Sequence, residues 1–517
     1  MDFIKATPNG LSCKGEPILL RGFGLGGWFL PEGYMWKLYT KCDRPRRMEK
    51  MIEELCGKTY ADYFWHQYFE RYITEKDIEL IAGEGFNSIR LPLNARLLCD
   101  RDNSELIFIK ETIERIDQLI DWCKKYNIYV ILDMHGASGG QTGQNIDDSE
   151  NDEPGLFIEV KYQEELAAIW VKLAERYVNE EVVAGYDLIN EPLPNWFSQY
   201  NHMVLPLYRK LIKEIRKVDQ NHLIILEGVH WATDFCIFQE FTKEEAQDNI
   251  MLQFHKYWSN PDKESLESFT DTAKRLKVPL YMGEGGENNC EWYTTMFPLY
   301  ERLNISWSFW SYKKMDCDNS PITFSVPAGW NELMDWIEGK KNLDTTRAKE
   351  IFNQFLACIS LRKVNRNVFC ALKRQVPVNI PCEAYDDFTI RSIRIPGVIL
   401  RMTDPVTLLF KNGKSGEVDY KRYGGEEQPE NETICIQLTA GDLVGYEFIS
   451  KQPIVTAFVT ASGCGTLRIQ IDDEIIKYTV GICKTYTAIF RCDTDSKKKI
   501  NLICEKGRIR LDRIKLE

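Results

Sequence analysis

Nowhere in the 517 residues do about eighteen apolar residues run together, so no membrane-spanning helix is expected. The start, MDFIKATPNG, lacks the basic start and apolar run of a secretory signal. A cytoplasmic chain is the expectation, with secretion the alternative if a signal has been removed. The 16 cysteines are scattered singly (Cys123, Cys236, Cys435 and Cys504 lie inside regular-looking runs), and no two have CxxC spacing. That predicts reduced thiols rather than a disulfide framework or a structural zinc site. Histidine is scarce, with six in all and no two at ligand spacing, so no metal is expected and no cofactor either. An excess of positive charge is also missing. At a net charge of −12 the chain is poorly suited to nucleic acid or anionic lipid, whereas a neutral ligand is compatible with it. The sequence does not indicate an oligomeric state.

Aromatics, by contrast, are plentiful, including 13 Trp and 24 Tyr. Their flat faces suit both packing and the C–H faces of sugar rings. Eight short, nearly unbroken apolar runs punctuate the first 360 residues: 18–25, 86–93, 128–135, 183–190, 222–228, 249–257, 278–284 and 305–312. Such runs are expected of parallel strands buried on both faces. Helical patterns lie between them. Ile109, Ile113, Ile116, Ile120 and Cys123 form one apolar face, and Leu166, Trp170, Leu173 and Tyr177 form another. Further helices are expected at 77–82, 205–218, 263–276, 292–303 and 332–359, whereas 232–247 has a weak pattern. Eight strand–helix alternations predict an α/β fold, a (β/α)8 TIM barrel, with a doubly wound open sheet as the alternative.

Two insertions, 29–73 and 136–157, follow the first and third strands. In a barrel both rise at the mouth where active sites form. From Lys363 onward the pattern becomes short β runs and turns, which predicts an antiparallel β-sandwich of jelly-roll type. The expected domains are therefore a barrel at 1–362 and a β-sandwich at 363–517, the latter either carbohydrate-binding or structural. No Ser/Gly/Pro-rich linker separates them.

Barrel strand ends converge on one cavity, and here they carry residues foreign to a plain core. In chain order these are Arg90, His135, Asn190 and Glu191, His255 with Tyr257 beyond it, Glu284, and Trp310. Glu284 lies in VPLYMGEGG, where flanking glycines keep other side chains clear of its carboxylate. Glu191 lies in GYDLINEPLP, where Pro192 ends the regular strand. Two carboxylates across a cavity suit glycosidic bond cleavage, one giving a proton to the leaving oxygen and one attacking the anomeric carbon. Glu227 and Asp133 read as structural. Trp28, Trp36, Trp196, Trp231, Trp258 and Trp292 lie on mouth loops and are candidate sugar platforms, about half of them expected to be packing.

SIRLP (88–92), LDMHGA (132–137), LINEP (188–192), QFHKY (253–257), GEGG (283–286) and FWSYK (309–313) together resemble glycoside hydrolase family 5, the cellulase-like family. The resemblance spans roughly the first 360 residues. It implies a retaining β-glycosidase with Glu191 as acid/base and Glu284 as nucleophile. It further implies that Asn190 binds the sugar 2-hydroxyl, that Arg90 and Tyr257 support Glu284, and that His255 tunes Glu191 or binds substrate. His135 would bind a sugar hydroxyl and Trp310 would floor the bound ring. The two insertions resemble the β-glucosidase and exo-β-1,3-glucanase side of the family, which implies exo action on β-glucosides or short β-glucans. Endo-β-glucanase or β-mannosidase action is the alternative within the family. A non-catalytic carbohydrate-binding protein is the alternative outside it, disfavoured because both carboxylates are present.

Overall fold

The structure is a computed structural model that describes residues 1–39, 41–102 and 105–517. By its internal contacts the chain divides into two compact units. The first comprises residues 1–256, 268–285 and 304–364, and the second comprises 257–267, 286–303 and 365–517.

All eight expected strands of the first unit are present and close into a parallel barrel. They are β1 (Arg21–Gly24), β2 (Ser88–Asn94), β3 (Tyr129–Gly136), β4 (Val183–Asp187), β5 (Leu223–Glu227), β6 (Ile250–His255), β7 (Leu280–Gly286) and β8 (Ser306–Trp310). The ring order is sequential, with β4 beside β5 and β8 beside β1. Residues on β2 to β7 are buried along their whole length, as the unbroken apolar runs require. The amphipathic faces form the expected helices: Ile113, Ile116, Ile120 and Cys123 are buried on Lys110–Tyr126, and Leu166, Trp170, Leu173 and Tyr177 on Val160–Tyr177. The single closing helix expected at 332–359 is instead two, Trp330–Ile337 and Thr345–Ser360. Gly339, with φ +75°, breaks it, and the Asp344 side chain caps the second. Residues 232–247 contain only short 3-10 turns.

An N-terminal antiparallel meander, Lys5–Thr7, Gly10–Cys13 and Glu16–Ile18, was not foreseen. Its Ile4 and Leu11 pack with Leu20, Tyr129, Ile131, Leu223, Ile225, Met251 and Tyr281, most of them at the N-terminal ends of barrel strands. It thus closes the barrel's lower end with apolar surface and leaves the opposite end for chemistry.

The expected insertion at 29–73, within which Thr40 lies outside the described residues, contains helices Pro45–Cys56 and Lys58–Tyr72. The 136–157 loop is fastened to it. Arg44, 2% exposed, reaches Ser149 Oγ at 2.6 Å and Asp152 Oδ1 at 2.8 Å. Asp148 accepts from Arg46 N at 2.9 Å, Arg96 Nε at 2.6 Å and Asn94 Nδ2 at 3.0 Å. Within the loop, Asp147 accepts from the amides of Thr142, Gly143 and Ser149, so one carboxylate organises three backbone donors.

The second unit is built on one curled antiparallel sheet. Two long strands, Ile454–Ile471 and Lys497–Leu516, pair along most of their length, with bulges at Thr460/Ala461 and Thr466/Leu467. Bulges let a sheet bend sharply, and burial alternates along Ile454–Ile471, as in a sandwich with one face inward. The run 368–378, read from sequence as β, opens as helix Arg366–Lys373. In this unit Trp258, 39% exposed, meets Tyr423 edge-on at 4.6 Å.

Candidate active site

Arg90, fully buried on β2, is the centre of the barrel's upper end. Its Nε donates to Asp187 Oδ2 at 2.8 Å, and its Nη1 to Glu284 Oε1 at 2.5 Å. Nη2 faces Asn190 Oδ1 at 2.8 Å, Glu227 Oε1 at 2.9 Å and Asp133 Oδ1 at 3.1 Å. One guanidinium therefore fixes groups from β3, β4, β5 and β7, a task suited to its rigid five-donor fork. Burial opposes its charge, but Asp133, Asp187, Glu284 and Glu227 outweigh that and hold it firmly cationic.

Glu191 and Glu284 are joined through His255. Nδ1 of His255 lies 2.6 Å from Glu191 Oε1 and 3.6 Å from Glu284 Oε2. The ligand atoms of these three residues all fall within 4.8 Å of one another. Burial disfavours an imidazolium here, yet Glu227, Glu284 and Glu191 prevail and raise the pKa of His255 well above its ordinary 6.5. Glu191 itself is held in a left-handed backbone conformation, φ +44°, with its amide donating to Glu227 Oε2 at 2.6 Å. Glu227 is thus a second anchor, reached also by Gln253.

His135 Nδ1 sits 2.8 Å from Asp133 Oδ2, which fixes the tautomer with the proton on Nδ1. Its ring stacks on Trp310 at 5.1 Å and 9°. Trp310 Nε1 donates to Tyr34 Oη of the first insertion at 3.1 Å. Asn190 lies beyond the regular end of β4 but stays tied to β3 through its amide, which donates to Met134 O at 3.1 Å. Arg90, His135, Asn190, Glu191, His255, Glu284 and Trp310 therefore converge at one end of the barrel. Tyr257 falls in the second unit, against Trp258, with ring centroids 5.6 Å apart.

Two members of this cluster, Asp187 and Gln253, did not stand out in the sequence. Each is a lone polar residue inside an apolar run, which is the only signal they give. Burial and the neighbouring Glu227 raise the pKa of Asp187 well above the carboxylate range. Asp133 and Glu227, read as structural from sequence, are direct partners of the same arginine. Of the tryptophans considered as platforms, Trp28, Trp36 and Trp292 are buried packing, and Trp196 is exposed. Two groups bring possible metal-ligand atoms close together, Asp133–His135–Glu284 and Glu191–His255–Glu284. Both include Glu284, which already faces Arg90, so a cation entering either would meet a guanidinium.

A closed barrel carrying paired carboxylates at the C-terminal ends of β4 and β7 agrees with the comparison to known families. Residues 53–316 match the family model Cellulase (glycosyl hydrolase family 5). The chain belongs to glycosyl hydrolase family 5. It is a glycoside hydrolase, and a carbohydrate substrate fits that family. Over 258 residues this family 5 chain is 29% identical to a Beta-xylosidase of Phanerodontia chrysosporium, covering 50% of this chain and 52% of that protein. Over 311 residues it is 25% identical to Endoglucanase C of Acetivibrio thermocellus, covering 49% of this chain and 88% of the relative. A Glucan 1,3-beta-glucosidase of Schwanniomyces occidentalis is 28% identical over 267 residues, 49% of this chain and 60% of the relative. The hydrolase thus spans about half the length of the first of these relatives. No helix among the described residues is long and apolar enough to cross a membrane.

Proposed function

We propose that this chain is a retaining β-glycosidase acting on β-glucosides and short β-glucans by double displacement, releasing sugars from chain ends. The observation that carries the reading is the proximity of Glu191 and Glu284, each of which brings one carboxylate oxygen within 4.8 Å of one of the other's. Carboxyl groups about 5–5.5 Å apart suit direct attack on the anomeric carbon, whereas inversion needs roughly 6.5–9.5 Å to admit a water.

Glu284, held through Oε1 by Arg90, attacks the anomeric carbon as the glycosidic bond breaks. Glu191 gives its proton to the departing oxygen. His255 Nδ1, 2.6 Å from Glu191 Oε1, holds that carboxyl group in position for the transfer. In the second step Glu191 removes a proton from water, the water oxygen bonds to the anomeric carbon, and Glu284 departs as carboxylate. Asn190, fixed by Arg90, faces the sugar 2-hydroxyl, and the stacked His135–Trp310 pair forms the floor beneath the ring. The surrounding carboxylates favour the positive charge that develops on the sugar in the transition state.

Exo action is supported by the two insertions, which are fastened together through Arg44, Asp148 and Asp152 and wall the mouth after β1 and β3. The Glucan 1,3-beta-glucosidase likeness points the same way. The test is Glu284→Gln assayed on an activated aryl β-glucoside. Turnover should vanish, and added azide should restore product release as the α-glycosyl azide; near-normal turnover without azide would remove the assignment. Product lengths from β-glucan oligomers, with aryl xylosides and mannosides in parallel, decide between end-trimming and internal cleavage and identify the sugar.

A further inference from the structure

The second unit encloses a cavity of about 350 Å³ for which the barrel's chemistry has no use. Stretches far apart in the chain build it. They include the first turn of helix Cys290–Arg302, the strand Val378–Pro381 with the turn after it, and Asp512–Arg513 in the last strand. All the lining residues belong to the second unit, so the cavity is formed within it.

Its lining is acidic, with Glu291, Glu383 and Asp512 brought together from the three stretches. Cations answer them only in part. Lys411 Nζ lies 2.5 Å from Asp512 Oδ2, and Arg513, half exposed, stands 3.9 Å from Glu291 Oε1. Among the described residues Glu383 has no ion-pair partner, and its Oε2 is buried without a hydrogen bond. A buried polar atom left without a partner costs roughly 1–3 kcal/mol. This one lines a space large enough for a molecule to bring the missing donor. Burial pushes the Glu383 carboxyl up to about 8, with Glu291 and Asp512 adding to the effect and Arg401 opposing it. The empty cavity thus holds this group largely protonated at neutral pH, and an arriving positive charge would expel the proton.

The lining also narrows the chemistry of that charge. Among the described residues only the barrel-end groups bring three carboxylate or imidazole ligand atoms within 4.8 Å of one another, so Glu291, Glu383 and Asp512 stand too far apart to share one metal ion. No aromatic ring lines the cavity, as a caged quaternary ammonium requires. Separated carboxylates, with the amide oxygens of Asn367 and Asn379 beside them, suit N–H donors spaced along one molecule.

We infer that this cavity binds an aliphatic amine carrying two or more ammonium groups, received by Glu291 and Glu383. Linear polyamines and short oligomers of amino sugars share that chemistry. The site is separate from the reaction proposed for the barrel and does not depend on it.

The test is titration calorimetry of the full chain with spermidine and, separately, with a glucosamine disaccharide. Salt at about 0.15 M screens the general attraction of an acidic protein for cations. At least one ligand should bind one-to-one with Kd below about 1 mM. Glu383→Gln and Glu291→Gln, which keep the side-chain shape, should each weaken binding at least about tenfold. Heats measured in buffers of different ionisation enthalpy should show proton release near neutral pH in wild type and none in Glu383→Gln. Asn379→Lys, at an exposed position, places an ammonium of its own at the cavity and should abolish binding, which keeps the test open if Glu383→Gln does not fold. Binding of spermidine alone identifies a linear polyamine, and binding of the disaccharide alone identifies an amino sugar; either upholds the inference. Failure of both ligands, wild-type affinity in the variants, or displacement of the amine by an equal concentration of magnesium ion overturns it. Binding without proton release overturns Glu383 as the receiving group.

Discussion

Replacing Arg90 by methionine gives the most demanding test of the site as described. The change removes a buried cation that contacts Asp133, Asp187, Glu227 and Glu284, at 2.5–3.1 Å, and leaves the side-chain volume nearly filled. Breaking one buried pair by removing a partner costs roughly 3–5 kcal/mol. The four contacts share one guanidinium, so the total should stay near about 4 kcal/mol at neutral pH instead of multiplying fourfold. For a unit of this size that is a drop in thermal midpoint of roughly 6 °C. The pH dependence has a definite sign. Burial and Glu227 raise the pKa of Asp187 while the Arg90 charge opposes them, so removing Arg90 raises it further; its protonated form then stabilises the fold at low pH and that stability is lost as pH rises. The gap between wild type and Arg90→Met should therefore widen from pH 5 to pH 8, as read by calorimetry with the transitions of the two units resolved. Arg90→Lys keeps the charge but not the fork, and should cost less stability while lowering kcat about a hundredfold. An Arg90→Met protein as stable as wild type at pH 8, or one whose deficit is larger at pH 5, would refute the account.

Three further perturbations have expected outcomes. The folded-state pKa of His255 is raised, so the stability it contributes is fully present below about pH 6.5 and is lost as pH rises through the folded value. The midpoint difference between wild type and His255→Gln should therefore be largest near pH 5–6 and shrink above neutrality; a difference that grows with pH contradicts this. Burial lowers the pKa of Lys313 to about 8, and its ammonium donates to Tyr72 O at 2.8 Å and Ile359 O at 3.0 Å. A lysine that loses its proton earlier when folded gains stability with rising pH, so wild type should gain on Lys313→Met by roughly 3 kcal/mol between pH 8 and about 10.4, as measured by urea unfolding. A Cβ on Gly283 would lie 2.2 Å from the Gln253 side chain, which supports Glu227. Gly283→Ala should thus lower kcat by about tenfold or more through displacement of these supports, and steady-state kinetics with unaltered kcat would exclude that linkage.

How much of this was legible in the chain depended on contrast. His135, Asn190 and Glu284 close their apolar runs, Glu191 follows one directly, and Arg90, His255 and Trp310 lie within a few residues of a run's end; an alternating eight-strand pattern is enough to bring such positions together. Asp187 and Gln253 lie within their runs, where one polar residue among apolar ones carries no indication of its partner. Only the register of β4 and β6 in the closed barrel shows that both face inward. The fold of the barrel was readable because its strands are buried on both faces. In the second unit the contrast was weaker: VFCALK has apolar spacing compatible with either period, and it forms a helix because Val368, Phe369 and Leu372 can share one buried face. Leu443–Ile449 and Glu474–Val480 are strands that the pattern did not reveal; the second is largely exposed, which removes the alternation a strand is recognised by. The N-terminal meander was missed because a three-residue strand has no period to detect.

The fastening of the two mouth insertions has a consequence for how this hydrolase could change over generations. Arg44 and Arg47 both bind Asp152, and Asp148 serves Arg46, Arg96 and Asn94. Exchanging either loop alone for that of a relative would strand a buried arginine or a buried aspartate, so drift in one segment must await compensation in the other. The pair behaves as a single inherited cassette, and grafts that move both together should retain activity where single-loop grafts lose it.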